Sequence, residues 1–319
     1  MIETIELTPA VTGLGNLHEP ALLALVADTH YRIITQGGSA TPREITNKAG
    51  EPLYPSIFAL HVRVPPQRLL GSYELWRRFD VGVDVRSFGR QFLDVNGVIG
   101  DVGEVPDVLD AWDNLVLPRV SWAGAWTLTR ADGEHEPSLP TTDFLGSVPR
   151  IAKVPTALSL AREVQLRRAI TPRFTPDMKR TPVRYQVAVG RDASIGRQMM
   201  FSQFVVVCDT AERTFLTQHV APAFPAEIVD ALATIERRIV YVGNARADET
   251  IDVHVTARCE RSSPTSFVIA TAMELVHAGR LLALAETRKL VALSETVSGV
   301  SRVVDQLFSA HGEGPLHSS

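Results

Sequence analysis

The chain has 319 residues, of which 45% are hydrophobic and 21% charged, and its formal net charge is −4. This composition is typical of a globular protein with a hydrophobic core, and the length allows one large domain or two of about 150 residues. The slightly acidic balance favours neither nucleic acid nor an anionic membrane, so we expect neither as a partner. The N-terminus lacks the pattern of a signal peptide, and no apolar run approaches the roughly 18 residues of a membrane span. We therefore expect a cytoplasmic protein.

Two segments have the pattern of a buried helix. Residues 20–34 and residues 225–240 both begin with proline, continue with mainly apolar residues, and end on Arg-Ile-Ile or Arg-Ile-Val. Proline is tolerated in a first helical turn because the N–H it lacks has no partner there. Since polar residues are few around each segment, we predict two helices that are buried along most of their length.

Segments rich in β-forming residues follow each predicted helix. They lie at 56–64 and 73–81 in the first half, and at 251–259 and 266–274 in the second half. The sequence therefore predicts an α+β protein in which one buried helix is wrapped by an antiparallel sheet, and this unit occurs twice. Further elements are expected between these units: a strand at 119–129, a helix at 156–170, and strands at 200–209 and 214–219.

Glycine, proline and small polar residues divide the chain. We predict a first repeat at residues 1–135, a linker at 136–155, a second repeat at 156–308, and a disordered tail at 309–319. The chain has two cysteines, Cys208 and Cys259, each within an apolar, strand-like run and far from any CxxC spacing. We expect both to be buried free thiols in a reducing compartment.

Several catalytic motifs are missing from the sequence. It contains no GxSxG, no GxGxxG after a strand, no GxxxxGK[ST] and no HExxH. These absences leave no sequence signal for an elbow serine, a dinucleotide, a triphosphate or a zinc site. We expect chemistry without a resident cofactor or metal.

Tyr54 is the principal candidate for a reactive residue. It lies where a long, proline- and glycine-broken segment meets a predicted strand, between Pro52 and Pro55. By strand alternation it shares a face with Ser56, Phe58, Leu60 and Val62, which we take to be the inward face. A phenol there can donate a hydrogen bond or, with a lowered pKa, become a nucleophile. The alternative is a core tyrosine with a satisfied hydroxyl.

Other polar residues near Tyr54 have a structural interpretation and a functional one. His61 and Arg63 fall on the opposite face of the same strand, which favours a solvated or sheet-surface role. His30 ends the first helix and is either a buried, hydrogen-bonded residue or a catalytic one. Asn47 can donate an amide N–H to an oxyanion, although loop asparagines mostly stabilise turns.

A basic run follows the linker. It either forms a solvated face or holds the phosphates of coenzyme A or of an acidic carrier protein. Its members are Arg162, Arg167, Arg168, Arg173, Lys179 and Arg180, of which Arg173, Lys179 and Arg180 are the phosphate-binding candidates.

Three stretches together resemble a known enzyme family. They are Gly13-Leu-Gly-Asn-Leu-His-Glu-Pro-Ala-Leu-Leu, the helix ending at His30-Tyr31, and the strand Tyr54-Pro-Ser-Ile-Phe. In their order, and over nearly the whole chain, they are similar to the bifunctional acyltransferase/decarboxylase of leinamycin-type polyketide (antibiotic) biosynthesis. The resemblance implies a double hot-dog fold, with two antiparallel sheets each wrapped round a central helix.

The resemblance also implies an activity. Members of that family decarboxylate methylmalonyl-CoA and transfer the propionyl group to the phosphopantetheine thiol of an acyl carrier protein, and Tyr54 matches the proposed acyl-accepting residue. Asn47, Ser56 and His30 are candidate substrate-binding residues by their place in the sequence. A homodimer is left open.

Two other classes of function remain open. One is a hot-dog thioesterase or dehydratase acting on acyl-CoA or acyl-carrier thioesters. The other is a non-catalytic hot-dog module that binds acyl-CoA or shapes a carrier-protein complex. Release of carbon dioxide from methylmalonyl-CoA distinguishes the decarboxylase from the first class, and turnover of any thioester excludes the second.

Overall fold

The structure is a computed structural model. It describes residues 2–9, 17–37, 46–89, 92–105, 119–130, 148–170, 182–192, 198–219, 224–263, 266–292 and 315–316.

Helices are few among the described residues. A 3₁₀ turn covers Leu70–Ser72, and a π-helical turn at Phe215–His219 continues α4. The helices are α1 (Glu19–Gly37), α2 (Thr156–Ile170), α3 (Val189–Asp192), α4 (Phe201–Thr214) and α5 (Ala226–Asp230).

The strands form one sheet in the order β1-β3-β4-β5-β2-β8-β11-β10-β9-β12, with β6 paired to β3 and β7 paired to β9. All pairings are antiparallel except that of β3 with β6. The strands are β1 (Ile2–Glu6), β2 (Leu53–Arg63), β3 (Arg78–Phe88), β4 (Phe92–Asp101), β5 (Val120–Arg130), β6 (Arg150–Ile151), β7 (Val183–Gln186), β8 (Ala233–Tyr241), β9 (Thr250–Ser263), β10 (Ser266–His277), β11 (Arg280–Ala292) and β12 (Pro315–Leu316).

The two halves of the sheet repeat one topology. The first half has the order β1-β3-β4-β5-β2, and the second has the order β7-β9-β10-β11-β8. In the chain, α1 lies between β1 and β2, and α4 lies between β7 and β8, so each half has one long helix at the same point. The halves join where β2 pairs with β8, from Ala59 opposite Val240 to Arg63 opposite Glu236.

The first predicted helix is correct, because residues 20–34 lie within α1. The second, at 225–240, is wrong: only the single turn α5 is helical, and β8 follows it. In β8 the β-branched Thr234, Ile235, Ile239 and Val240 favour a strand, and its pairing with β2 and β11 overrides the helical pattern.

The central helix of the second half is α4, in a segment that we predicted to contain strands at 200–209 and 214–219. Its apolar run is continuous enough to suggest a strand, but its buried residues recur at the spacing of a helix face. They include Phe204, Val205, Val207, Cys208 and Ala211.

The remaining strand predictions are mostly correct. Residues 56–64, 119–129, 251–259 and 266–274 correspond to β2, β5, β9 and β10. The segment at 73–81 is strand only from Arg78 onward, because Trp76 adopts a left-handed backbone with φ of 64°.

The sheet has a covered face on each side. The main core lies between the sheet and the helices α1 and α4, and includes Leu22, Val26, Phe204 and Phe267. On the outer face, the predicted helix α2 lies across β2, β5 and β8. Its buried residues Ala157, Leu158, Ala161 and Val164 pack against Ala59, Ala123, Ala125, Val240 and Leu284.

Within the tail that we predicted to be disordered, Pro315–Leu316 pairs with Arg258 and Ala257 of β9. The other residues of 309–319 lie outside the described part of the chain, and the proposed boundaries at 135, 155 and 308 stay predictions. No helix among the described residues is long and apolar enough to cross a membrane.

Candidate active site

Tyr54 lies in β2, where its backbone pairs with Thr129 of β5. Its side chain, and that of His30 in α1, are outside the part of the chain whose side chains the structure describes. The role proposed for Tyr54 therefore stays a prediction.

A β-bulge changes the face on which the residues of β2 lie. The pairing with β5 shifts between Ile57 and Ala59, so that alternation does not run unbroken through the strand. Ile57, Leu60 and Val62 all belong to the main core, while Ala59 packs on the α2 side. We predicted that Ser56 shares a face with Leu60 and Val62. Since Ser56 is the neighbour of Ile57, it lies on the other face, and this prediction is wrong.

Asn47 stabilises a turn. Its Oδ1 accepts hydrogen bonds from the backbone N–H of Ala49 (2.9 Å) and of Glu51 (3.0 Å). Its Nδ2 donates to Oε2 of Glu51 at 2.6 Å. The amide is therefore used within residues 47–51, which is the alternative that the sequence left open.

His61 is buried, so of the two roles that we predicted, solvated or sheet-surface, the solvated one is wrong. Its side chain is 1% exposed, and its Nε2 lies 2.8 Å from Oε1 of Glu236. The face opposite the main core is not solvated here, because α2 covers it. Burial lowers the pKa of His61 despite the opposing effect of Glu236.

The basic candidates Arg173, Lys179 and Arg180 lie outside the described residues, so their role also stays a prediction. Of the same run, Arg162 is exposed on α2.

The main group of buried charges lies between the two halves, and the sequence did not reveal it. Arg237 of β8 is its centre: Nε donates to Oε1 of Glu19 at 2.6 Å, Nη1 to Oγ1 of Thr287 at 3.1 Å, and Nη2 to Oδ1 of Asp209 at 2.7 Å. Asp209 belongs to α4, Thr287 to β11, and Glu19 to the first turn of α1. One guanidinium group thus joins the central helix of each half.

The network continues through a second cation. Nζ of Lys289 lies 2.7 Å from Oδ1 of Asp209 and 2.8 Å from Oε1 of Glu212, and Oε2 of Glu212 accepts a hydrogen bond from Thr271. We call the whole group the Arg237 cluster. Its members are Glu19, Asp209, Glu212, Arg237, Thr271, Thr287 and Lys289.

Strand alternation places Arg237 in the core. Ile239 and Tyr241, at the same parity of β8, are buried in the main core, whereas Glu236 and Arg238 pair with each other on the other face. We missed Arg237 because we assigned its segment to a helix. The apolar residues at the same parity as Arg237, which are Ile235, Ile239 and Tyr241, are the signal that could have placed it.

Burial and charge act in opposite directions within the Arg237 cluster. Burial raises the pKa of Glu19 even though Arg237 acts against this. The side chain of Asp209 is 38% exposed; desolvation of its carboxylate disfavours the ionised form, but Arg237 and Lys289 outweigh this and hold its pKa at about 2. Burial raises the pKa of the free thiol of Cys208 to about 12, which leaves it protonated and unreactive near neutral pH.

Glu19 combines three properties that a catalytic base needs. Its side chain is 4% exposed, and one oxygen is fixed by Arg237. The other oxygen, Oε2, has no hydrogen-bond partner among the described residues. Two of the five N–H donors of Arg237 likewise have no acceptor in the described part of the chain. The site can therefore accept a proton and donate hydrogen bonds at neighbouring points.

The structure does not bring Tyr54 to this cluster. Val62 pairs with Arg237 across the junction, and Tyr54 lies eight residues earlier in the same strand. Eight residues of a β-strand span about 26 Å. The predicted site and the Arg237 cluster thus lie toward opposite ends of β2.

A second, smaller polar group lies on the outer face of the first half. Nδ2 of Asn96 donates to Oδ2 of Asp94 at 3.0 Å, and both side chains are buried. Burial raises the pKa of Asp94 to about 6. Within the described ranges, no three His, Cys, Asp or Glu side chains are grouped so as to hold a metal ion.

The sequence matches no family of known proteins and no curated protein. Solved structures do resemble it. An acyl-ACP thioesterase from Bacteroides thetaiotaomicron VPI-5482 is 12% identical with a TM-score of 0.54, over 91% of this chain and 97% of that chain. A putative oleoyl thioesterase from Lactobacillus plantarum is 9% identical with a TM-score of 0.60, over 92% of this chain and 96% of that chain. At these identities the likeness concerns the fold, and the protein has the hot-dog fold.

Proposed function

We propose that the protein is an enzyme that hydrolyses acyl thioesters, with each half of the sheet forming one hot-dog repeat and Glu19 acting as the base. Two solved structures that resemble nearly the whole chain are an acyl-ACP thioesterase and a putative oleoyl thioesterase. This supports the thioesterase alternative more than the acyltransferase/decarboxylase that the sequence suggested. The substrate in this proposal is an acyl group on coenzyme A or on a carrier protein, and the reaction needs no resident cofactor.

The observation that carries the proposal is the state of Glu19. A general base works best when its pKa lies near the working pH, and burial raises the pKa of Glu19 in that direction. Its Oε2 is buried without a partner among the described residues, and to this oxygen we assign the attacking water molecule. Arg237 fixes the carboxylate through Oε1 and leaves Oε2 to act on that water.

The reaction follows from these two residues. Oε2 of Glu19 takes a proton from water, whose oxygen forms a bond to the thioester carbonyl carbon. Arg237, with two N–H donors to spare, stabilises the negative charge that develops on the carbonyl oxygen. The carbon–sulfur bond then breaks, and the proton passes from Glu19 to the departing thiolate, which regenerates the base.

Replacement of Glu19 tests this function. Glu19→Gln removes the base but keeps the size of the side chain and a hydrogen-bond acceptor for Arg237, so the fold should be retained. We expect kcat/KM for acyl-CoA hydrolysis to fall by about 10²–10⁴, the usual contribution of a general base. The measurement is thiol release from a series of acyl-CoA substrates of increasing chain length.

Glu227→Gln is the matched control, since Glu227 is exposed on α5. It should hydrolyse the same substrates at the rate of the unaltered protein. Full activity in a folded Glu19→Gln protein would refute the proposed role of Glu19, and the absence of turnover with every thioester would refute the function itself.

The acyltransferase/decarboxylase is the second candidate, and one observation favours it. Glu19 belongs to the stretch Gly13–Leu23 on which the resemblance depends, and the structure places it in the Arg237 cluster. The charges of the Arg237 cluster disfavour this second candidate. Its described members include three carboxylates and two cations, so with all of them ionised its net charge is negative and disfavours the permanently charged carboxylate of methylmalonyl-CoA more than a transient oxyanion.

Carbon dioxide release from methylmalonyl-CoA, followed by mass spectrometry of an acyl carrier protein for a propionyl group, separates the two candidates. Loss of transfer in Tyr54→Phe, with carbon dioxide release retained, would support Tyr54 as acyl acceptor. Thiol release without carbon dioxide would support the thioesterase.

A further inference from the structure

Asp209 contacts both cations of the Arg237 cluster. One of its oxygen atoms, Oδ1, lies 2.7 Å from Nη2 of Arg237 and 2.7 Å from Nζ of Lys289. Lys289 is itself held by Glu212, one turn further along α4. The position of Oδ1 is therefore set from two sides, by Arg237 of β8 and by Lys289 of β11.

Because of the geometry of arginine, the contact between Asp209 and Arg237 affects the position of Glu19. The guanidinium group is planar and its N–H directions are fixed relative to one another. When Asp209 holds Nη2 and Thr287 accepts from Nη1, the direction of Nε is determined as well. Nε is the atom that binds Oε1 of Glu19.

Resting on the proposed role of Glu19, we propose that Asp209 is a positioning residue for the reaction. It orients the guanidinium of Arg237 so that the base, which comes from the first half, is held in place by the central helix of the second half. Neither half on its own contains the complete arrangement, since Glu19 precedes β2 and the other charged members lie after residue 200.

The charge of Asp209 also acts on Glu19 directly. The charged groups that face Glu19 are Arg237 and Lys289, which lower its pKa, and Asp209, which raises it. The titratable groups Cys208 and Tyr241 also face Glu19, and Glu212 contacts Lys289. Removing the charge of Asp209 should therefore lower the pKa of Glu19 and loosen the orientation of the guanidinium, which keeps its contacts with Glu19 and Thr287.

Asp209→Asn separates a positioning role from a structural one. We expect kcat to fall by about 10- to 100-fold, the scale of a small misplacement of a catalytic group, with KM little changed. The acidic limb of the pH profile of kcat/KM should move to lower pH, because Glu19 loses a neighbouring negative charge. If the substitution only reduced the amount of folded protein, kcat/KM would be lower at every pH and the acidic limb of its pH profile would stay at its original pH.

Asp209→Glu keeps the charge and displaces the carboxylate. In this variant we expect a reduced kcat with the acidic limb where the unaltered protein has it, and it serves as the test if Asp209→Asn does not fold. Asp230→Asn is the external control, since Asp230 is exposed on α5 and pairs with Arg213. Asp230→Asn should change neither kcat nor the pH of the acidic limb of the kcat/KM profile.

Different results would refute the role of Asp209 and the role of Glu19. If Glu19→Gln is inactive but the acidic limb stays in place or moves to higher pH in Asp209→Asn, the positioning role is wrong and the base remains. An unchanged kcat in a folded Asp209→Glu protein would also overturn the positioning role. If Glu19→Gln retains full activity, the proposed base itself is wrong, whatever Asp209 does.

Discussion

Asp94 shows how a single buried carboxyl group can make stability depend on pH. Its side chain is 5% exposed, and its Oδ1 has no hydrogen-bond partner among the described residues. Burial raises its pKa to about 6, while the bond from Asn96 and the charge of Arg86 act against this and Asp84 adds to it. An aspartate in an unfolded chain has a pKa of about 3.9.

The sign of the effect follows from these two values. Between pH 4 and pH 6 the folded protein binds more protons than the unfolded chain at this position, so stability falls as pH rises through this window. Asp94→Asn abolishes the titration. We expect the free energy of unfolding of the variant, relative to the unaltered protein, to be about 1 kcal/mol higher at pH 8 than at pH 5. Urea denaturation at the two pH values measures this difference.

Asp28→Asn, which removes an exposed carboxylate from α1, is the control for a change in surface charge. The free energy of unfolding of Asp94→Asn, relative to the unaltered protein, could instead be equal at both pH values or lower at pH 8. Either result would show that burial does not hold Asp94 in its protonated form.

The residues of the candidate site were the hardest to predict. Glu19 and Arg237 are 218 positions apart, and no local pattern connects them. Tyr54 was chosen because it lies where a long, broken segment meets the strand. Its face was assigned by strand alternation, which the bulge after Ile57 interrupts, and one inserted residue leaves no mark in an apolar run. His61 was placed on the correct side of the strand, but the sequence did not show that α2 covers that side.

At the scale of elements, the helix α2 has a clear energetic role. Leu158 is buried in the cluster that α2 forms with the outer face of the sheet. Leu158→Ala should lower the free energy of unfolding by about 2–4 kcal/mol, because it removes buried methyl groups and leaves a cavity. Arg162→Ala, on the exposed side of the same helix, should change it by less than about 0.5 kcal/mol. Equal effects of the two substitutions in denaturant titrations would show that α2 is not packed on the sheet.

The second central helix was assigned to the wrong element of the chain. Residues 225–240 and 201–214 both contain many apolar residues, and each fits a helix and a strand over part of its length. Tertiary pairing decides between them: β8 is held on both sides, by β2 and β11, while α4 packs its apolar face on the main core. The existence of a second helix-plus-sheet unit was predictable from the sequence, but which segment supplies its helix was not.

At the scale of the whole molecule, two connections make the halves one unit. The sheet is continuous through β2 and β8, and the Arg237 cluster joins α1 to α4, β8 and β11. Unfolding one half alone would expose the edge of β2 or β8 and leave buried charges without partners, which costs several kcal/mol. We therefore expect the two halves to unfold together.

The sequence provides separate probes for this prediction. All four tryptophans, at positions 76, 112, 122 and 126, are in the first half, and both cysteines are in the second. With Cys259→Ser, Cys208 remains as the sole thiol, and its side chain is fully buried in the folded protein. Tryptophan fluorescence then follows the first half, and the reaction of Cys208 with a thiol reagent follows the second.

We expect both signals to change at the same denaturant concentration with the same slope, as cooperative unfolding requires. Loss of the tryptophan signal at a concentration where Cys208 is still protected would show that the halves unfold independently. In that case the bonds across β2–β8 and through Arg237 would be too weak to couple them. A base in one half that depends on a helix in the other requires the coupled result, because the arrangement around Glu19 exists only while both halves are folded.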